Sequence, residues 1–240
     1  MLSSDNLINF PRNYSYILQS AIYDLISEVL PDLHKTGPVF KKRQFRPFVF
    51  SKIDGKYKII NGGFSFYPPI SFSFASPFDE IIQAIGNQFL KQKFVEIIGI
   101  KLKPTQVIVS NPEVNSIPLI VRTISPITVR STLTTHDGKN KTYYYNPYES
   151  DFAIQIKNNL LRKAEAIGLN LKDDSFSIKL IGKAKQRISN YKGFTIIAWD
   201  GKFKLSGNKK LIKLALDWGL GSRNAQGFGM IKILKGGEQS

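Results

Sequence analysis

From Tyr14 to Leu30 apolar residues recur every three to four positions, at Ile17, Leu18, Ala21, Ile22, Leu25 and Ile26. That spacing predicts an amphipathic helix, which Pro31 helps to end. Strands are predicted at Arg46–Ile53 and Ile70–Phe74; in the latter, Ile-Ser-Phe-Ser-Phe alternates with the period of two of a half-buried strand. Ser76-Pro77-Phe78-Asp79 has the form of a capping box with proline at the first helical position. It opens a predicted helix with Ile81, Ile82, Ile85 and Phe89 on one face. Phe94–Leu102 reads as the next strand, continued by Gln106–Ser110.

The same order then returns. Leu119–Val129 is strand-like, and Ser150-Asp151 starts a helix with Ala153, Ile156, Leu160, Leu161, Ala164 and Ile167 on its apolar side and Gly168 as its cap. Ser175–Ile181 and Gly193–Leu205 read as strands. Asn208 caps a short helix carrying Leu211, Leu214, Ala215 and Trp218, and Gly227–Leu234 is the last strand. The order βαββαβ is the ferredoxin-like plan. Seen twice, it predicts an α+β protein of tandem ferredoxin-like domains, divided as 1–118 and 119–240.

The first half has a defect. Its initial strand belongs before Tyr14, where Met1–Phe10 is polar and poor strand material. The fold expectation is therefore a first domain with a degenerate or missing initial strand. Either Asn6–Phe10 forms it, or the natural start lies upstream, or another chain covers the gap.

Charge narrows the class of partner. The 240 residues hold 34 Lys and Arg against 18 Asp and Glu, a net charge of +16. Such an excess attracts polyanions at long range, and nucleic acid is the commonest of them. The absence of cysteine excludes disulfides and thiolate metal sites. No run of about 18 apolar residues is present, and the N-terminus lacks the regions of a signal peptide. The expectation is a cytoplasmic protein without a membrane partner.

The most informative stretch is Trp218-Gly219-Leu220-Gly221-Ser222-Arg223-Asn224-Ala225-Gln226-Gly227-Phe228-Gly229. It is neither a Walker loop, since no Gly-Lys-Ser/Thr follows, nor a Rossmann turn, since no strand precedes it. Glycines let a backbone approach another chain closely, and exposed N–H groups of Gly221, Ser222, Arg223 and Asn224 suit a phosphate, with the Arg223 charge beside them. An ordinary glycine-rich connection is the alternative. Near the end of a basic chain with two ferredoxin-like halves, this loop resembles that of the CRISPR-associated endoribonucleases that cut precursor CRISPR RNA within its repeats. The Leu-Gln-x-x-Ile-Tyr run inside Tyr14–Ile26, Arg46-Pro47-Phe48-Val49-Phe50-Ser51 and Ile124-Ser125-Pro126-Ile127-Thr128-Val129 agree with it.

The resemblance implies cleavage without a metal or other cofactor. In that chemistry the ribose 2′-hydroxyl attacks the adjacent phosphate, leaving a 2′,3′-cyclic phosphate and a 5′-hydroxyl. A base, an acid and a cation for the phosphorane charge are required. His34, directly after the first helix, is the first candidate because an imidazole titrates near neutrality. Tyr23, off the centre of the buried helix stripe, matches a family tyrosine, with packing as its alternative. Arg46 stands where one family arrangement has lysine; it suits phosphate charge but not proton donation. Lys41, Lys42 and Arg43 offer further cations from the preceding turn. Some members bind RNA without cutting it, so a non-catalytic repeat-RNA binder or a structural subunit of a CRISPR ribonucleoprotein is the second reading.

The partner implied is CRISPR repeat RNA, with a homodimer or CRISPR effector complex as further assemblies. Lys183, Lys185 and Arg187 lie in an acid-free stretch from Lys179 to Lys192, read as a basic hairpin for phosphates. Arg122 and Arg130 flank the Ser-Pro segment and are placed in a cleft between the halves. The Tyr143–Tyr145 run offers faces for base stacking or for packing. His136 lies in a predicted turn and reads as solvated.

Overall fold

The computed structural model describes residues 1–27, 29, 37–41, 43–134 and 136–234. His34 and Lys42 lie outside the described residues.

The first half contains β1 (Leu2–Ser3), β2 (Ile8–Pro11), α1 (Ser15–Ser27), β3 (Val39–Phe40), β4 (Arg43–Gln44), β5 (Val49–Phe50), β6 (Tyr57–Ile60), β7 (Gly63–Phe66), β8 (Phe74–Ala75), α2 (Asp79–Lys91), β9 (Val95–Ile97) and β10 (Ile100–Pro104). The second contains β11 (Leu119–Thr123), β12 (Arg130–Thr134), β13 (Asn140–Tyr144), α3 (Ser150–Ala166), β14 (Phe176–Tyr191), β15 (Phe194–Gly207), α4 (Lys209–Trp218) and β16 (Ile231–Ile233).

The second half is a ferredoxin-like unit with an antiparallel sheet in the order β14-β15-β11-β16. Its core alternates along the strands as a half-covered sheet requires. Leu119, Val121, Ile178, Phe203 and Leu205 face the helices, meeting Phe152, Ile156 and Leu160 of α3 and Leu211, Ile212 and Ala215 of α4. The Asn208 side chain accepts from the Lys210 N–H at 2.8 Å, so α4 starts where the sequence predicts.

The first half follows the same order in pieces. β6-β7-β2 form one sheet and β9-β10-β1 another. Taking β1 and β2 as one interrupted strand joins them as β6-β7-(β2/β1)-β10-β9. The initial strand is therefore present in two pieces, and the second of them overlaps the expected Asn6–Phe10. Residues 4–7 break it, but Leu2, Ile8 and Phe10 are buried at 2%, 0% and 1% exposure. These three inward side chains anchor the two pieces although the residues between them, Ser3 to Asn6, are polar.

Other elements differ from expectation. The predicted strand Arg46–Ile53 shrinks to Val49–Phe50, paired with Phe74–Ala75. The partner of the first strand is instead the hairpin β6–β7, which turns at Asn61-Gly62. The capping box is shifted: Ser76 Oγ accepts from the Phe78 N–H, and α2 begins at Asp79. Phe94–Leu102 is a hairpin turning at Ile98-Gly99 rather than one strand. Tyr143 and Tyr144 lie in a β12–β13 hairpin inserted before α3.

The halves interlock. Phe45 from the first half joins the second core, and Ala225 from the glycine loop joins the first. Lys52 and Arg187 both bind the Asp200 carboxylate, at 3.0 and 2.6 Å, and Lys52 N–H donates to Ile124 O at 3.2 Å. We propose residues 1–118 and 119–240 as the two halves, stitched by these exchanges. Among the described residues, no helix is long and apolar enough to cross a membrane.

Candidate functional site

Where the halves meet, a cleft of about 710 Å³ opens between α1 and the glycine loop. Tyr16, Gln19, Ser20 and Tyr23 of α1 line one wall, and Gly221–Gln226 the other. Arg46, Arg130, Asn159, Tyr191, Lys192 and Trp218 also line it, with Asp24 as an acidic member. Two of the three candidate catalytic residues thus share one site with Arg130 and the loop residues Gly221, Ser222, Arg223 and Asn224.

Tyr23 is half-buried and packs its ring edge-on against Phe48, with centroids 5.3 Å apart. Burial raises the pKa of its hydroxyl, while the charge of Arg46 and a hydrogen bond from it act in the opposite direction. Burial wins, so Tyr23 is a neutral phenol at physiological pH. Arg46 is held through its own carbonyl, which accepts the indole N–H of Trp218 at 2.7 Å. Its Nη1 is buried without a hydrogen-bond partner, an arrangement that suits an incoming anion.

Arg223 adopts a left-handed backbone with φ of 60°. It donates from Nη1 to Gln226 Oε1 at 2.7 Å, while its buried Nε has no partner. Burial and then the neighbouring Arg130 hold its pKa below the usual arginine value, against the opposing influence of Tyr144 and Tyr191. Arg130 and Arg223 both line the cleft, and the charge of the one acts on the other. Tyr191, at the tip of the β14–β15 hairpin, donates its hydroxyl to Gln19 Oε1 of α1 and so spans the cleft. Its pKa is raised by burial and then by Tyr23.

The loop's glycines permit close approach within the protein. A Cβ at Gly229 would lie 2.0 Å from Leu220 O, one at Gly221 2.4 Å from Thr128 O, and one at Gly227 2.8 Å from the Phe50 ring. The N–H groups of Gly219, Leu220, Ser222, Gln226, Gly227 and Gly229 all donate to protein carbonyls. The loop is folded on itself and against both halves. At Ser222 the expected open phosphate nest is therefore replaced by a structural bond to Thr128 O. Asn224 is 7% exposed, and its amide donates to Leu220 O and Phe228 O while accepting from Lys163. That amide holds the loop together.

Other predicted contacts lie elsewhere. Arg122 is on the helix-free face of the second sheet, opposite Lys202 and Lys232, so the expected position in the cleft does not hold. Lys179 and Lys204 pair on the same face. Lys183, Lys185 and Arg187 belong to the continuous edge strand β14, with a register shift between Ile181 and Lys185; the turn of this hairpin is at Lys192-Gly193. Lys183 and Lys185 are exposed, whereas Arg187 is tied to Asp200. Lys41 is exposed with its ammonium 5.4 Å from the Phe40 ring, and Arg43 pairs through its backbone with Phe40. His136 is exposed.

Asn159, Lys163 and Tyr191 have no part in the sequence reading, and Gln19 enters it only within the Leu-Gln-x-x-Ile-Tyr run. The first two carried a signal, since they fall among Ile156, Leu160 and Ala164 on the buried stripe of α3. Polar residues in an apolar register are the informative exceptions.

Several known proteins are similar to this chain over most of its length. A CRISPR-associated endoribonuclease Cas6 of Methanocaldococcus jannaschii is 28% identical, spanning 96% of this chain and 89% of its own. The CRISPR-associated endoribonuclease Cas6 of Pyrococcus furiosus is 26% identical over 95% and 85%. The solved structure from a Cas6-related gene of Pyrococcus furiosus superposes with a TM-score of 0.82 at 27% identity, covering 99% of this chain and 96% of that one. The family model for CRISPR associated protein Cas6, C-terminal, matches residues 109–233, and the chain belongs to that family.

Proposed function

We propose that this protein is an endoribonuclease that binds CRISPR repeat RNA in the cleft between α1 and the glycine loop and cuts precursor transcripts within the repeats. One observation carries the reading: Tyr23 and Arg46 from the first half converge with Arg130 and Arg223 from the second on one opening. Unpartnered guanidinium nitrogens on Arg46 and Arg223 supply the donors that a phosphate requires.

In the reaction we infer, the 2′-oxygen attacks the adjacent phosphorus while a base takes its proton. The bond from phosphorus to the 5′-oxygen breaks, and that oxygen receives a proton. A 2′,3′-cyclic phosphate and a 5′-hydroxyl result, with no metal required. Arg46 stabilises the extra charge of the phosphorane, and Tyr23, as a neutral phenol, donates a hydrogen bond to it. Arg130 and Arg223 hold a flanking phosphate. His34 is assigned the proton transfer, since an imidazole can accept and return a proton near neutrality. The exposed Lys183 and Lys185 and the cationic sheet face around Arg122 extend the contact along the strand.

The test is incubation of the purified protein with RNA of its neighbouring repeat in excess EDTA, followed by end-group analysis. A single cut leaving a cyclic phosphate is expected, with the rate falling at least about a hundredfold in Arg46→Ala and in His34→Ala. Tight binding without a cut would replace this reading by that of a non-catalytic repeat-RNA binder. A cut that needs added metal would overturn the mechanism.

A further inference from the structure

Lys163 has no place in the chemistry above, yet it is 1% exposed and sits beneath the cleft. Its ammonium donates to Trp218 O at 3.1 Å, Gly219 O at 2.8 Å and Asn224 Oδ1 at 2.8 Å, and lies 5.5 Å from the centre of the Trp218 ring. The two carbonyls close the C-terminal end of α4, where a helix leaves its last carbonyls without intrahelical partners and its dipole favours a cation.

Each acceptor leads to a wall of the cleft. Trp218 donates its indole N–H to the carbonyl of Arg46, so the tryptophan under the lysine sets the backbone that bears that guanidinium. Asn224 clamps Leu220 O and Phe228 O across the neck of the glycine loop, fixing the turn on which Arg223 stands. One buried ammonium is therefore bonded directly to the segment that bears Arg223 and linked, through Trp218, to the one that bears Arg46. Desolvating a lysine is costly, and an apolar side chain of similar length would fill the same space on α3. What an apolar chain cannot do is tie these acceptors together.

We propose that Lys163 is a positioning residue for RNA cleavage, holding Arg46 through Trp218 and Arg223 through Asn224 at the separation that the scissile and flanking phosphates require. The inference rests on the reading of the cleft given above.

The absence of cysteine from the chain permits a selective test. Lys163→Cys is alkylated in denaturant with 2-bromoethylamine, which rebuilds a lysine-like ammonium, or with a neutral ethylating reagent of similar bulk, and then refolded. Single-turnover cleavage of repeat RNA is measured for each form. The unmodified and ethylated proteins are expected to cut at least tenfold more slowly than the parent, and the aminoethylated protein to recover most of the rate. Equal recovery by the neutral chain would overturn the proposal, since volume alone would then explain the residue. A folded Lys163→Met protein with the parental rate would overturn it as well.

A second measurement does not depend on RNA. In a Trp199→Phe background the one remaining indole N–H resonance belongs to Trp218. Lys163→Met is expected to shift it and to speed its solvent exchange as the bond to Arg46 O loosens. An unchanged resonance in the folded protein contradicts the proposal. A parent protein that neither binds nor cuts repeat RNA, but shows the shift, would remove the proposed function and leave the link from Lys163 to Trp218 standing.

Discussion

The two halves follow one strand order but carry it out differently. The second builds a single four-stranded sheet with long strands, an uninterrupted β11 at its centre and two helices over one face. The first assembles its sheet from short pieces, and its central strand is broken between Ser3 and Ile8. The continuous half supplies the frame: the glycine loop, Arg223, Arg130 and the buried Lys163. The fragmented half supplies Tyr23 and Arg46, and its chain crosses over to place Phe45 in the other core. A regular sheet suits the part that must hold its shape, while irregular connections let a segment reach across a boundary.

The sharpest way to break that contrast uses two glycines with the same φ of 83°. A methyl group at Gly229 would overlap Leu220 O at 2.0 Å, whereas one at Gly62, in the first half, meets nothing within 4 Å. Gly229→Ala should cost about 4 kcal/mol or more, and Gly62→Ala only about 1 kcal/mol from its left-handed backbone. Urea denaturation of both variants measures the difference. Equal costs would mean that the loop glycines serve conformation alone and not close approach.

Next in size is the broken strand itself. Ile8 is fully buried in the first core as Ile156 is in the second. Ile8→Ala and Ile156→Ala should each lose about 3 kcal/mol. A loss below about 1 kcal/mol at Ile8 alone would show that the first strand is an appendage and that the halves differ more deeply than in continuity.

Alkaline titration sharpens the same point. Tyr14, behind that strand, has its pKa pushed up to about 12, chiefly by burial, against a hydrogen bond from the Ile53 N–H. The folded form thus keeps its proton to higher pH than the unfolded chain does. The stabilisation is complete below about pH 10 and lost as pH rises towards 12, about 3 kcal/mol in all. Tyr14→Phe should remove that part of the alkaline fall in the urea midpoint, and an unchanged pH profile would contradict it.

The smallest effect compares two arginines of the second half. Arg223 has Arg130 as its neighbour, whereas Arg187 has Asp200. Arg223→Asn, which tolerates the left-handed backbone, should weaken repeat-RNA binding about tenfold and reduce the slope of log affinity against log salt by about one. Arg187→Ala should change the slope less. Filter binding across a salt series separates them, and equal slopes would remove the distinction between a free and a compensated cation.

Much of this was legible in the sequence where packing and local chemistry agree. The stripes of α1 and α3 and the Asn208 cap appear where the pattern places them, because side chains three and four apart share a helix face. The glycine loop stood out because so many glycines so close together are rarely idle. What the sequence concealed depends on partners distant along the chain. Leu2, Ile8 and Phe10 look too sparse for a central strand until β7 and β10 pair with them on either side. Asn61-Gly62 between Ile60 and Gly63 is a strong hairpin signal, obscured by the longer apolar runs around it. Lys163 stands out on the apolar stripe of α3, but what it meets is hidden until α4 places its end carbonyls over it, and Arg187 reads as a free cation until Asp200 arrives from the next strand.

The long strand β14 has one further consequence. It is the outermost strand of its sheet, and an open border of that length is a template on which a second copy could anneal. Lys179, Lys183 and Lys185 stand along it, and their mutual repulsion between copies would oppose such pairing. The lysines that would meet a nucleic acid would therefore also work against edge-to-edge association, and neutralising them together should produce clumping before it reveals anything about RNA.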